Sequence, residues 1–260
     1  GVRVAAQGEY AVRQTFDGAV WIGSKDYRVA DIGTDHGYVP IWLVQKGVCP
    51  SALAMDVRKG PLERAEEHVE EVGLSGKIEL RLSDGLAKLK AGEADTVVIA
   101  GMGGKLTCRI LEQGRHVWEN WSEGKERLIL SPQSEQDEVR HFLEEQGFSI
   151  LREAMLTDEG KYYIVIEAAR GTMRPGREQD YRFGADLIRK KDPVLLAYLE
   201  KEEKMTRQVL AGLTENDAQN KKETLEASEA GETAISRRAA RINELTAYLA
   251  LIEETRHEMQ

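Results

Sequence analysis

The 260-residue sequence predicts an α/β protein, a doubly wound parallel sheet with an antiparallel hairpin edge, followed by a C-terminal helical domain. Three observations carry this. Between residues 28 and 146, short runs of Val, Ile, Leu and Ala alternate with amphipathic stretches, the pattern of a parallel sheet covered on both faces. Most of those runs end in an acid, a Gly or a Pro within a few residues, as strands feeding tight turns do. Beyond residue 178 the alternation stops, and apolar residues recur at helical spacing.

The elements follow in order. Residues 7–17 read as a short helix before a turn at Asp17-Gly18. The first strand is expected over 28–32, with a helix over 39–46. The second strand, 51–55, ends at Asp56. Its helix, 60–72, has Pro61 in the first turn and Gly73 after the last, the usual asymmetry of helix ends. A third strand over 78–82 runs into Ser83-Asp84-Gly85 and a short helix over 86–90. The fourth, 96–100, ends at Gly101-Met102-Gly103-Gly104 before a helix over 105–113. The fifth, 127–130, ends at Ser131-Pro132-Gln133 before a helix over 136–146. Strands over 149–156 and 162–168, joined at Asp158-Glu159-Gly160, make the hairpin.

Pro and Gly at 171–178 mark a linker, which divides the chain into a domain over 1–172 and a helical one over 173–260. Ile235, Ile242 and Leu249 stand seven apart, with Leu245 and Ile252 between them. That seam predicts two long antiparallel helices forming a coiled-coil hairpin.

At 41% apolar and 31% charged residues, the chain has the composition of a soluble globular protein. No apolar run approaches the ~18 residues of a membrane span, and no leader is visible, so no membrane is expected. Cys49 and Cys108 make neither a disulfide framework nor a metal spacing. They are expected as thiols in the cytoplasm, with no metal bound. A net charge of −9 argues against indiscriminate nucleic-acid binding but leaves room for a local basic patch. The seam is compatible with a monomer or a weak dimer.

Right-handed crossovers place every strand end on one rim, so Asp35, Asp56, Asp84, the run from Gly101 to Gly104, and Ser131 to Gln133 are expected to converge there. Gly33 and Gly37 let the backbone approach a ligand closely, or serve an ordinary βα turn. Asp35 stands where a phosphate fingerprint needs Gly, and a carboxylate there repels pyrophosphate. Three acids on one rim suit a ligand with hydroxyls, an amine or a sulfonium. Asp56 is placed to accept from ribose hydroxyls or to cap a helix. Asp84 is placed to accept from an adenine amino group, or to cap a turn. Met102 among glycines is suited to packing on an adenine or methionine moiety, or to a tight turn alone.

The segments ADIGTDHGYVP, IAGMGGKL, ERLILSPQ and EGKYYIVIEA strongly resemble the TrmK family of bacterial tRNA (adenine-N1)-methyltransferases, which act on adenosine 22. The resemblance covers about residues 29–170, and the pairing of DIGTDHG with GMGG is its specific part. The family's Ser-x-Arg-Leu segment before the first strand has no match in residues 1–20. The resemblance implies a Rossmann-like class I methyltransferase that binds S-adenosyl-L-methionine and acts on tRNA. It implies that Asp31, Gly33, Thr34, Asp35 and His36 line the methionine side of the cofactor, that Asp56 holds the ribose, and that Asp84 and Gly85 hold adenine. Gly101, Met102 and Gly103 would flank the sulfonium, and Ser131, Pro132 and Gln133 the target base.

The chemistry that follows is methyl transfer to a flipped adenine, with the enzyme chiefly positioning the reactants. Asp35 is the expected catalytic carboxylate, facing the cation that develops on the base. His36 is the second catalytic candidate, as the base that takes the product's excess proton. Basic candidates for the tRNA surface are Arg174, Arg177, Arg182, Arg189, Lys190, Lys191, Arg237, Arg238 and Arg241; the alternative is a solvated helical face.

Overall fold

The computed structural model describes the backbone of residues 27–223 and 229–260, and the side chains of 27–214 and 236–260. The helix expected over 7–17 lies outside the described residues. The strands are β1 (Val29–Ile32), β2 (Ala52–Asp56), β3 (Ile78–Leu82), β4 (Thr96–Ala100), β5 (Arg127–Ser131), β6 (Phe148–Asp158) and β7 (Lys161–Arg170). They form one seven-stranded sheet in the order β3-β2-β1-β4-β5-β7-β6. The first five are parallel, and β7 runs antiparallel to both β5 and β6.

Side-chain alternation along the strands builds two cores. Ala30, Ile32, Leu53, Met55, Val97, Ile99, Leu128 and Leu130 face one layer. There they meet Ile110 and Leu111 of α3 (Gly104–Gln113), Trp118 of α4 (Arg115–Trp118), and Val139 and Leu143 of α5 (Gln136–Glu145). Val29, Ala52, Ala54, Val98 and Ile129 face the other layer, against Val39, Leu43 and Val44 of α1 (Tyr38–Gln45) and Val69 of α2 (Lys59–Glu71). Burial on both faces is why these strands are nearly unbroken apolar runs.

The helix expected over 86–90 does not form. Those residues make successive turns: Ser83 Oγ accepts from the Lys88 amide at 3.1 Å, and Leu86 and Leu89 are buried in the first core. With Gly92 at φ +76 close behind, the stretch is too short to sustain a helix. Leu86 also explains α4, which the sequence did not signal. A Cβ on Gly114 would lie 2.2 Å from Leu86 Cδ1, so the chain passes closely there as α3 ends and α4 begins. The hairpin is longer than expected at both ends, and its two-residue turn holds Glu159 and Gly160 at φ +46 and +77.

The chain divides into compact units after Arg182, so the expected linker at 171–178 belongs to the first unit. The Tyr181 ring stacks on His141 at 3.6 Å, and its hydroxyl accepts from the Gly176 amide. Arg140 is buried, donates to Glu153 Oε1 at 2.8 Å, and donates to the Tyr181 carbonyl at 2.6 Å. Composition reads the Pro and Gly but not a buried arginine that fastens the segment.

The second unit holds α6 (Ala185–Arg189), α7 (Pro193–Glu223) and α8 (Glu229–Met259). Asp192 starts α7 by accepting from the amides of Val194 and Leu195. The long helices run antiparallel: Glu203 meets Arg256, whereas the Leu213 carbonyl meets Arg238. Along the expected seam Leu245 and Ile252 are buried, and Ile242 and Leu249 are half-buried. The side chain of Ile235 lies outside the described residues.

Substituting Arg140→Met strands the Glu153 carboxylate in the interior. It is expected to cost about 3–5 kcal/mol in urea unfolding, while Arg140→Met with Glu153→Leu recovers most of the loss.

Candidate active site

The strand order reverses direction beside β1, which is hydrogen-bonded to β2 on one side and β4 on the other. At this switch point the loops after two neighbouring strands leave in opposite directions, and a cleft opens at the carboxyl ends. The cleft measures about 390 Å³. It is lined by residues 31–35 at the end of β1 and in its loop, Asp56, Val57 and Arg58 at the end of β2, Ser83 to Gly85 after β3, Ala100 to Met102 at the end of β4, and Gln133 after β5. Val39, Leu106 and Ile110 complete it from the helices.

The β1 turn is fixed by its backbone. The amides of Gly33 and Thr34 both donate to the Met55 carbonyl, at 2.8 and 2.9 Å. Gly33 has φ +75, and a Cβ there would lie 2.1 Å from the Met102 methyl group. Asp35 takes the left-handed conformation at φ 49, one that Asp tolerates better than most residues. The Asp35 amide donates to Asp56 Oδ2 at 3.2 Å, and the Arg58 amide to Asp56 Oδ1 at 2.8 Å. Asp56 thus ties the first two rim loops together, while each of its oxygens keeps a lone pair for a ligand.

The loops after β4 and β5 are joined in the same way. Gly101 donates to the Ser131 carbonyl, Gln133 to the Met102 carbonyl, and Gly104 to the Ser134 carbonyl. A Cβ on Gly104 would stand 2.4 Å from the Glu135 carbonyl oxygen, so only glycine permits the contact.

Of the residues expected at the site, Asp31, Gly33, Thr34, Asp35, Asp56, Asp84, Gly85, Gly101, Met102 and Gln133 share this cleft. His36, Gly103, Ser131 and Pro132 are not among its lining residues. The His36 ring turns toward Tyr38 and His68, with Nε2 3.5 Å from Asp35 Oδ2. Gly103 faces Ser134, and Ser131 is buried at the end of β5. Pro132 accepts from the Gln136 side chain through its carbonyl. Arg189 and Lys190 belong to the second unit, where Asp186 pairs with both and Asp192 with Lys190. Arg177, Arg182 and Arg241 are likewise paired, with Asp180, Asp137 and Glu244.

Arg58, Val57 and Leu106 were not singled out by the sequence reading. The Arg58 guanidinium lies 3.9 Å from Asp35 and 3.8 Å from Asp56, so the rim acids are partly balanced. Val57 is 60% and Leu106 37% exposed, two apolar side chains offered to whatever fills the cleft. The available signal was Val57, an apolar residue directly after the acid that ends a strand.

Asp31 dominates the electrostatics. It is buried at the end of β1, and burial pushes its carboxyl up to about 7. The Thr34 hydroxyl opposes that rise, and the neighbouring Asp56 charge adds to it. Among the described residues no group of His, Cys, Asp and Glu is arranged to hold a metal ion, and no helix is long and apolar enough to cross a membrane.

This strand order, with a ligand-sized cleft over the switch point, is a Rossmann-like sheet of the class I methyltransferase type. The sequence matches the TrmK family model, described as tRNA (adenine(22)-N(1))-methyltransferase, over residues 29–230, and the chain belongs to that family. It is 40% identical over 143 residues to the tRNA (adenine(22)-N(1))-methyltransferase of Bacillus subtilis (strain 168), a match spanning 55% of this chain and 58% of that protein. The crystal structure of the B. subtilis m1A22 tRNA methyltransferase TrmK superposes with a TM-score of 0.73 at 29% identity, covering 94% of this chain and 96% of that one. A Streptococcus pneumoniae protein solved in complex with S-adenosyl-L-methionine superposes with a TM-score of 0.74 at 30% identity, covering 94% and 99%.

Because the Asp31 carboxyl is raised in the folded chain, its contribution to stability is greatest below pH 4 and is lost as pH rises toward 7. Asp31→Asn removes that dependence. Relative to the native chain, the variant is expected to gain about 2–3 kcal/mol between pH 5 and pH 8, read from denaturant unfolding at the two pH values.

Proposed function

We propose that the chain transfers a methyl group from S-adenosyl-L-methionine to N1 of adenosine 22 in tRNA, in the cytoplasm. The observation that carries this reading is the cleft over the switch point, where the acids ending β1, β2 and β3 converge, in a chain of the TrmK family. The cofactor fits the residues present. Its volume class matches the cleft, and its sulfonium and amine suit a rim of carboxylates. The buried Thr34 hydroxyl and the Asp31 carboxyl beside it line the same end of the cleft and suit a ligand that carries an amine.

When bound, the cofactor supplies an electrophilic methyl group to the lone pair on N1 of neutral adenine. The protein's part is placement. Asp56 accepts from ribose hydroxyls with the lone pairs left by the Asp35 and Arg58 amides. Asp84 and Gly85 would hold the adenine ring, with Val57 and Ile110 as apolar lining of the same cleft. Asp31, Gly33 and Thr34 hold the methionine end, and Met102 packs beside the reacting centre. Gln133, held to Met102 by its backbone, presents its amide to the target base. The base must leave its stack to expose N1.

Methylation leaves a cation on the adenine. Asp35, fixed in its left-handed turn, is the carboxylate that faces this charge. His36 Nε2 lies 3.5 Å from that carboxylate. N1 of neutral adenine needs no base to free its lone pair, so the only proton for His36 to take is the excess one on the cationic product.

The test is methyl transfer from labelled S-adenosyl-L-methionine to unmodified bacterial tRNA, with the product mapped by mass spectrometry. N1-methyladenosine at position 22 is the expected outcome. No incorporation by a preparation that binds the cofactor in calorimetry would overturn the reading. Asp35→Asn is expected to lower kcat roughly 10- to 100-fold with cofactor and tRNA affinities retained; unchanged turnover would remove Asp35 from the mechanism.

A further inference from the structure

Beside the cleft lies an array of three rings, and two of them, Tyr38 and His68, are not used by the reaction as derived. His36 and Tyr38 flank Gly37, whose φ of +75 brings the two side chains off the same turn. Their ring centroids are 5.7 Å apart with planes inclined at 24°. His68, from the far end of α2, joins them at 4.9 Å from Tyr38, inclined at 21°, and 5.9 Å from His36. Its Nδ1 donates to the His36 carbonyl at 2.9 Å, which fixes the orientation of the ring. Tyr38 thus stacks on both histidines, which are tilted at 35° to each other, in an array assembled from two separate segments.

These rings are not core. All three are half-buried, and none belongs to either apolar layer of the sheet. The array is one ion-pair distance from the cleft, since His36 Nε2 contacts the carboxylate of cleft-lining Asp35. Positive charge stands on the same flank. Arg58 is 68% exposed, and Arg64, also exposed, precedes His68 by one helical turn. An aliphatic patch would suit a protein helix. Planar rings with polar edges, flanked by arginines, suit a nucleotide, whose base stacks on rings while its phosphate meets a cation.

We propose that His36, Tyr38 and His68 form a stacking platform for an unpaired base of the RNA substrate, the nucleotide next to the one being methylated. The proposal rests on the tRNA reading above. A base extruded into the cleft leaves its neighbour without a stacking partner, and the platform replaces that partner beside the cleft. His68 is then a specificity-determining residue outside every strand-end loop, and it acts through its ring.

Two pairs of variants separate stacking from simple bracing. His68→Asn keeps a donor near the position of Nδ1 but has no ring, whereas His68→Phe keeps a ring and loses the donor. Tyr38→Leu and Tyr38→Phe divide in the same way. The expected result is a KM for tRNA raised about tenfold or more in the Asn and Leu variants. Cofactor affinity and Tm should be near the native values, and the Phe variants near native in all respects. A native KM in His68→Asn, or a Phe variant as impaired as its ringless counterpart, would overturn the proposal. If the native chain methylates no tRNA, the parent reading fails first. Direct binding then judges the platform: equal affinity of native and Tyr38→Leu proteins for single-stranded RNA would remove it.

Discussion

The hydrogen bonding of β1 along both edges is the constraint on which the rest of the structure depends. A strand paired in parallel to β2 and to β4 has no free edge, and its four residues are buried on both faces. Its carboxyl end is therefore the one place where a rigid backbone meets solvent between two diverging loops. Asp31 occupies that end because a side chain there belongs to the sheet and to the cleft at once. The turn that follows is held by the Met55 carbonyl, not by its own side chains, so its conformation is set by the neighbouring strand. Asp56 then extends the tie to the second loop, and the Gly101–Ser131 and Met102–Gln133 bonds do the same for the fourth and fifth. The rim behaves as two joined pairs of loops with the cleft between them.

Much of this was legible in the sequence, and for a single reason. Parallel strands buried on both faces are short apolar runs, and the loops at their carboxyl ends carry the residues that such runs exclude. β3 and β4 appear at their expected bounds, and the glycines at 33, 85 and 101 mark turns that do adopt positive φ. What was illegible was tertiary. A five-residue helix over 86–90 satisfies local pattern, but Leu86 and Leu89 are drawn into the core as turns. The Pro and Gly at 171–178 read as a linker, yet Arg140, Tyr181 and His141 fasten the segment to the first unit. His68 carried no motif at all. Only the approach of α2 to the β1 turn, where a Cβ on Gly37 would lie 3.1 Å from Ala65 Cβ, brings it beside His36 and Tyr38.

The second unit follows a different logic. Its long helices carry few buried apolar residues per turn, and charged pairs such as Arg256 with Glu200 and Glu203, and Arg207 with Glu203 and Glu253, accompany the seam. Exposed pairs of this kind contribute little individually, so they select the register of the hairpin more than they stabilise it. The same pairing bears on the helical surface, which the sequence offered either as a basic face for tRNA or as a solvated one. Arg189, Lys190 and Arg241 already have acidic partners within a turn of their own helix or the residues beside it. A polyanion would gain from them only what remains after competition with those carboxylates.

The buried carboxyl at the end of β1 also has a calorimetric consequence. Burial raises this carboxyl toward neutrality, so it holds protons in a range where an exposed carboxylate has lost them, and a cation entering the cleft beside it favours the ionised form. Ligand uptake near neutrality therefore releases a fraction of a proton into the medium, and the buffer absorbs it. The heat recorded on mixing then depends on the ionisation enthalpy of the buffer chosen, so two laboratories working at one pH in different buffers would obtain different enthalpies for the same association.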